Sequence, residues 1–176
     1  MKNKILMCAM LVYVSAFAMA AGTRSAVTGP VYGKAKHHDN AAISYFAKEH
    51  FFMDFPNATD VAWKNTKAFQ EAHFTMNNIA YTAYYDADNE LVGTTTAKTF
   101  TDLPMNAQRY IQKKYAGYTP ADVIFFDDNQ ANETDMNLFD QPFADEDNYF
   151  VLMKKPGENI VLKVNSEGYV DFFKNI

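Results

Sequence analysis

The spacing of apolar positions divides most of the chain into two runs of similar plan. From Asn40, apolar residues recur at Ile43, Phe46, Ala47 and Phe51, with Lys48 and Glu49 off the stripe. That spacing predicts a helix, with Asn40 as its N-cap and Pro56 ending it, because the residue before a proline avoids helical angles. Alternation then takes over. It predicts strands over Thr59–Lys64, Ala68–Met76, Ile79–Tyr85 and Leu91–Ala97. Asn77-Asn78 suits a tight turn, since asparagine tolerates positive φ, and 86–90 forms the next turn. Leu103-Pro104 opens a second helix with Ala107, Tyr110, Ile111 and Tyr115 at helical spacing, and Gly117 stops it. A strand over Asp122–Asp127 follows. Residues 128–147 are acidic and asparagine-rich, and read as a long loop pinned by Leu138, Phe139, Pro142 and Phe143. Strands over Asn148–Lys154, Asn159–Val164 and Tyr169–Phe173 close the chain, joined by turns at Pro156-Gly157 and Ser166-Glu167-Gly168.

Both runs are a helix followed by three or four strands, and parts of them align. Residues 52–63 match 115–125 with one gap, and 85–91 match 164–170 without one. The reading is an internal repeat, 40–102 and 103–176, within a single domain. Paired edge to edge, the two units give one antiparallel sheet with helices on one face, an α+β layer.

Register from the turns sorts the strand residues onto two faces. Val151, Met153, Ile160, Leu162, Val164, Val170 and Phe172 fall under the helices. Phe150, Leu152, Val161, Lys163, Tyr169 and Phe173 fall on the other face, joined by Thr82, Tyr84, Val92 and Thr94 from the first unit. Left wet, that face is an apolar patch large enough to mark an interaction surface. Its expected contacts are Tyr84, Val92, Phe150, Leu152, Val161, Lys163, Tyr169 and Phe173. The alternative is burial of the same face by the leader, by the acidic loop or by a second copy.

Ahead of the repeats stand a basic start, an apolar run from Ile5 to Ala18 and Ala18-Met19-Ala20, the layout of a cleaved export signal over 1–20. The run is short for a membrane span. Residues 21–39 carry no periodicity and read as a flexible leader. Cys8, the single cysteine, lies in the expected signal, so the mature chain has no thiol chemistry. The chain carries a net charge of −5, and cleavage removes Lys2 and Lys4 but no acid. The sign is wrong for nucleic acid and for anionic membranes.

Composition offers little catalytic chemistry. His37-His38 stand in the leader without a third ligand, and His50 and His73 have no serine or cysteine pattern about them. The turn at 86–90 lacks the glycine and distal glutamate of a calcium loop. Within the acidic loop, Asp128, Asp145 and Asp147 are the carboxylates nearest to a cation site, though a solvated loop is expected. No cofactor and no enzyme are expected.

The Phe-Pro-x-Ala-x-x-Val-x-Trp run ending at Trp63, the Tyr84-Tyr-Asp-x-Asp-Asn-Glu90 hairpin, the Leu103-Pro104 helix start and the closing Asn165-x-Glu-Gly-Tyr-Val170 hairpin resemble the PepSY-like family of exported bacterial proteins. That family is also described as β-lactamase-inhibitor-like. The resemblance implies a tandem helix-plus-sheet fold whose open sheet face grips a protein, in the periplasm or outside the cell. A module that binds a small ligand or a cation is the other expectation.

Overall fold

The computed structural model describes residues 42–144 and 146–176; the expected signal, the leader, His37, His38, Asn40 and Asp145 lie outside them. Ser44, not Asn40, caps the first helix, α1 (Tyr45–Asp54), its Oγ accepting from the Phe46 N–H at 3.2 Å. Strands β1 (Thr59–Asn65), β2 (Gln70–Met76), β3 (Ile79–Tyr85) and β4 (Leu91–Lys98) follow. A 3-10 turn at Phe100–Asp102 leads into α2 (Met105–Lys114). Then come β5 (Thr119–Asp128), a short hairpin of β6 (Met136–Leu138) and β7 (Gln141–Phe143), and β8 (Asn148–Lys155), β9 (Glu158–Asn165) and β10 (Val170–Asn175).

Eight strands form one sheet in the order β1-β2-β3-β4-β5-β8-β9-β10, with every neighbouring pair antiparallel. Each helix is thus followed by four strands of this sheet, and β4 pairs with β5 at its middle. Both helices cover the same face. Phe51 of α1 packs edge-on against Trp63 at 5.5 Å and Phe74 at 5.1 Å, above Ala72, Ala83 and Tyr85. Ala107 and Ile111 of α2 pack on Val123, Val151, Met153, Ile160, Leu162 and Val164.

Three expectations need correction. Residues 128–147 are not a plain loop, because β6 and β7 pair within them. Phe46 and Tyr110 lie on the solvent side of their helices, 60% and 42% exposed, although helical spacing put them on the buried stripe. Two bulges change strand parity. Val92 and Gly93 together oppose the Tyr84–Tyr85 step, which turns Thr94 to the helix side opposite Ala83 and brings Thr95 to the outer face opposite Thr82. A second bulge between Phe172 and Lys174 keeps Phe173 on the outer face, and Phe172 is 53% exposed at the edge instead of sealed under α2.

Candidate functional site

The β6–β7 hairpin decides which part of the outer face is available. Its Phe143 ring sits 5.3 Å from Phe126, 4.8 Å from Phe150 and 6.1 Å from Phe173, and Phe150 and Phe173 stack edge-on at 5.0 Å. Met136 is fully buried with them. The hairpin turns at Phe139 and Asp140, both with φ of 55°, a left-handed pair that is costly for phenylalanine. Packing of the half-buried Phe139 ring beside Phe150 and a hydrogen bond from Lys174 Nζ to the Phe139 carbonyl offset that cost.

The strap that carries this hairpin is tied down by polar side chains at both ends. Asn129 donates from its N–H to the Val92 carbonyl and from Nδ2 to the Leu91 carbonyl at 2.6 Å. Asn132 and Thr134 both donate to Asp86 Oδ2. On the far side Lys163 Nζ donates to Glu146 Oε1 at 3.0 Å and holds that carboxyl below the usual range.

The eight expected contact residues therefore divide. Val92, Phe150, Val161 and Phe173 are buried under the hairpin, and Leu152 is half-buried at its margin. Tyr84 is buried as well, its hydroxyl against Thr95 Oγ1 at 3.0 Å, and burial pushes its phenol up. Lys163 is committed to Glu146. Tyr169 alone keeps an open ring, 70% exposed. The face that was expected to be wet is, in the second half of the sheet, an interior layer. The buried rings come from the sheet, and the acidic segment supplies the cover.

On β1 to β4 the same outer face is covered at the Tyr84–Val92 end and uncovered toward the β2–β3 turn. There a groove of about 390 Å³ runs along Thr75, Ala80, Thr82, Thr95, Ala97 and Ile124, with His73 and Asp60 at its sides. Small side chains make the floor, so the backbone approaches the surface. Cross-strand pairing lines up a polar row beside it. Lys64 lies opposite Glu71 and His73 opposite Thr82 in the ladders. Lys64 Nζ is 3.4 Å from Glu71 Oε2, His73 Nε2 is 3.6 Å from the same oxygen, and His73 Nδ1 is 2.9 Å from Thr82 Oγ1. The row was legible only as alternation, since polar residues two apart on neighbouring strands meet across the pleat.

Glutamate, histidine and threonine in a line resemble a hydrolase relay. The surroundings do not complete one. Thr82 lies mid-strand with ladders on both sides, so the N–H groups that an oxyanion would need are engaged in sheet pairing. Among the described residues no group of three or more His, Cys, Asp or Glu could hold a metal ion. In the acidic segment Asp147 Oδ1 accepts the Asp128 N–H at 2.9 Å, which makes that carboxylate a clasp for the strap. His50 Nδ1 donates to the Asn89 carbonyl at 2.7 Å and ties α1 to the β3–β4 turn. No described helix is long and apolar enough to cross a membrane.

No family model matches the chain, and no curated protein matches it. Solved structures do. A BLIP-like protein from Bacteroides fragilis superposes with a TM-score of 0.58 at 16% identity, over 76% of this chain and 86% of that one. A DUF2874 family protein from Bacteroides uniformis gives 0.62 at 15% identity, over 75% and 88%. A protein from Bacteroides eggerthii, provisionally named as periplasmic, gives 0.61 at 17% identity, over 76% and 88%. At these identities the likeness is one of fold: this chain has a BLIP-like fold.

Proposed function

We propose that this protein is an exported, non-catalytic binding module of the bacterial envelope that seats a protein partner on the open part of its outer sheet face, over β1–β4 near the β2–β3 turn. The reading treats the chain as PepSY-like, one domain of two units over 40–102 and 103–176. One observation carries it. The outer face is sealed over its second half and over the Tyr84–Val92 end of its first, and left bare toward the β2–β3 turn, where a groove with an Ala/Thr floor lies beside the Lys64–Glu71–His73–Thr82 row. The BLIP-like neighbour and the one provisionally named as periplasmic support the class and the compartment. The aromatic residues first expected to touch the partner act instead as the packed support beneath the strap, with Tyr169 left at the rim.

Ala80 and Ala97 are exposed and line the groove without entering the core. Arginine at both, Ala80→Arg with Ala97→Arg, fills it. The variant keeps its circular dichroism spectrum and loses the partner that the parent protein retains from envelope extract. Undiminished retention by the folded variant defeats the proposal. Inhibition assays against β-lactamases test the one partner class the resemblance implies. A small ligand is the second reading, because the groove volume lies within the range of about 300–1,000 Å³ common to ligand pockets. Native mass spectrometry of protein from its own host separates the two readings.

A further inference from the structure

The helix layer, on the opposite side of the sheet from the groove, presents two unpartnered faces of complementary character. On α1 the buried side is Ala47 and Phe51. At about 100° per residue the point diametrically opposite falls at Glu49. Around it stand Tyr45, Phe46, Phe52 and Met53, exposed by 68%, 60%, 60% and 69%. Four large apolar side chains about one carboxylate are unusual for a solvated helix, whose outer face is ordinarily polar. Glu49 Oε1 accepts from the Tyr45 hydroxyl, and Lys48, the one lysine of the helix, lies to the side of this face.

On α2 the buried side is Ala107 and Ile111, and the same construction puts Arg109 at the outer pole. Met105, 64% exposed, and Lys113 flank it. The helix carries Arg109, Lys113 and Lys114 with no acid, in a chain whose net charge is −5. Within the described residues neither Arg109 nor Lys113 has an ion-pair partner. Glu49 and Arg109 each occupy the fifth position of a ten-residue helix. The apolar face centred on Glu49 and the basic face centred on Arg109 thus have the same length and matching centres.

We infer that the helix layer is a two-fold interface between copies of this chain, with α1 of one protomer packed on α2 of its partner and the reverse contact formed by symmetry. A two-fold axis through the middle of the layer exchanges the two helices, so one operation makes both contacts. Glu49 meets Arg109 twice, and the exposed rings of α1 are removed from water against Met105 and the stems of the basic side chains. Direct α1-on-α1 packing is disfavoured because it sets Glu49 against Glu49. The groove on the opposite face stays open in this dimer, so the inference stands apart from the partner-binding reading.

Sedimentation velocity of the exported protein, over a concentration series, reads the association. The parent protein is a dimer at tens of micromolar. Glu49→Arg alone and Arg109→Glu alone are monomers at the same concentration, with unchanged circular dichroism because both positions are solvent-exposed. Mixed in equal amounts, the two variants form a dimer, since arginine at 49 then faces glutamate at 109 and the native pair of the other contact is kept. A monomeric parent protein overturns the inference. So do single variants that remain dimeric, and variants that fail to associate when mixed.

Discussion

Asp86 is the residue on which two parts of the molecule converge. Its Oδ1 accepts the N–H groups of Asp88 at 2.9 Å and Glu90 at 3.0 Å, which shapes the β3–β4 turn. Its Oδ2 accepts Asn132 Nδ2 at 2.9 Å and Thr134 Oγ1 at 3.2 Å, which holds the start of the strap. Burial pushes this carboxyl up, but the hydrogen bonds from Asn132, Glu90, Asp88 and Thr134 outweigh it and leave the group below the usual carboxylate range. The sign of the linkage follows. A carboxylate lowered in the folded state contributes stability above its unfolded pKa, and that contribution is lost as pH falls through the folded value. Asp86→Ala is therefore expected to cost about 1–3 kcal/mol at pH 7, the range for leaving such donors unpaired. Urea midpoints of parent and variant should converge as the pH is taken below 4. A gap that persists unchanged into acid would mean that ionisation of Asp86 has no part in holding the strap.

At the scale of elements, the β6–β7 hairpin is the piece that turns an open aromatic sheet face into a second core. Its removal should behave as core damage. Phe143→Ala takes away a ring in contact with Phe126, Phe150 and Phe173, and is expected to cost about 3–5 kcal/mol with increased binding of a hydrophobic dye. A surface contact would give a change within about 0.5 kcal/mol in urea unfolding, and that result would return these rings to the solvent side. The hairpin was the least legible element in the sequence. Helices and long strands announce themselves by recurring apolar positions, but each hairpin strand is three residues long, one contains Pro142, and acids surround both. Leu138, Phe139 and Phe143 were the available signal, and they do predict pinning. The bulges were illegible for another reason. One extra residue at Val92–Gly93 or before Lys174 reverses the parity of everything after it, so alternation assigns Thr94 to the wrong face while assigning Tyr84 to the right one. The groove escaped notice because alanine and threonine have no strong hydropathy. What marks the site is the absence of a cover, which depends on where the strap comes to rest.

At the scale of the whole molecule, the sheet is a strand-by-strand meander in which the α1 side and the α2 side are hydrogen-bonded strand to strand at the β4–β5 ladder, from Gly93 opposite Asp128 to Lys98 opposite Val123. The α1 cluster and the α2 cluster share no buried residue. What makes them cooperate is this ladder together with the outer cluster, which draws Phe69, Tyr84 and Val92 from the first side and Phe126, Phe150, Val161 and Phe173 from the second. Gly93 sits at that junction for a steric reason. A Cβ there would meet the Asp127 carbonyl and the Phe126 ring at 2.6 Å, closer than real Cβ contacts come. Gly93→Ala must part β4 from β5 or displace Phe126, and overpacking of this kind costs about 1–3 kcal/mol. Trp63, the one tryptophan of the chain, lies in the α1 cluster and reports that side alone, whereas far-ultraviolet circular dichroism reports all eight strands. If the sheet is one cooperative unit, Gly93→Ala lowers the urea midpoint of both signals together, although Trp63 lies on β1, at the far edge of the sheet from the junction on its side. If the two sides fold independently and are merely zipped, the substitution separates the transitions and the tryptophan midpoint stays where it was. Coincidence is the expected result, because the strap, anchored at Asp86 on one side and clasped by Lys163 through Glu146 on the other, ties the outer cluster to both.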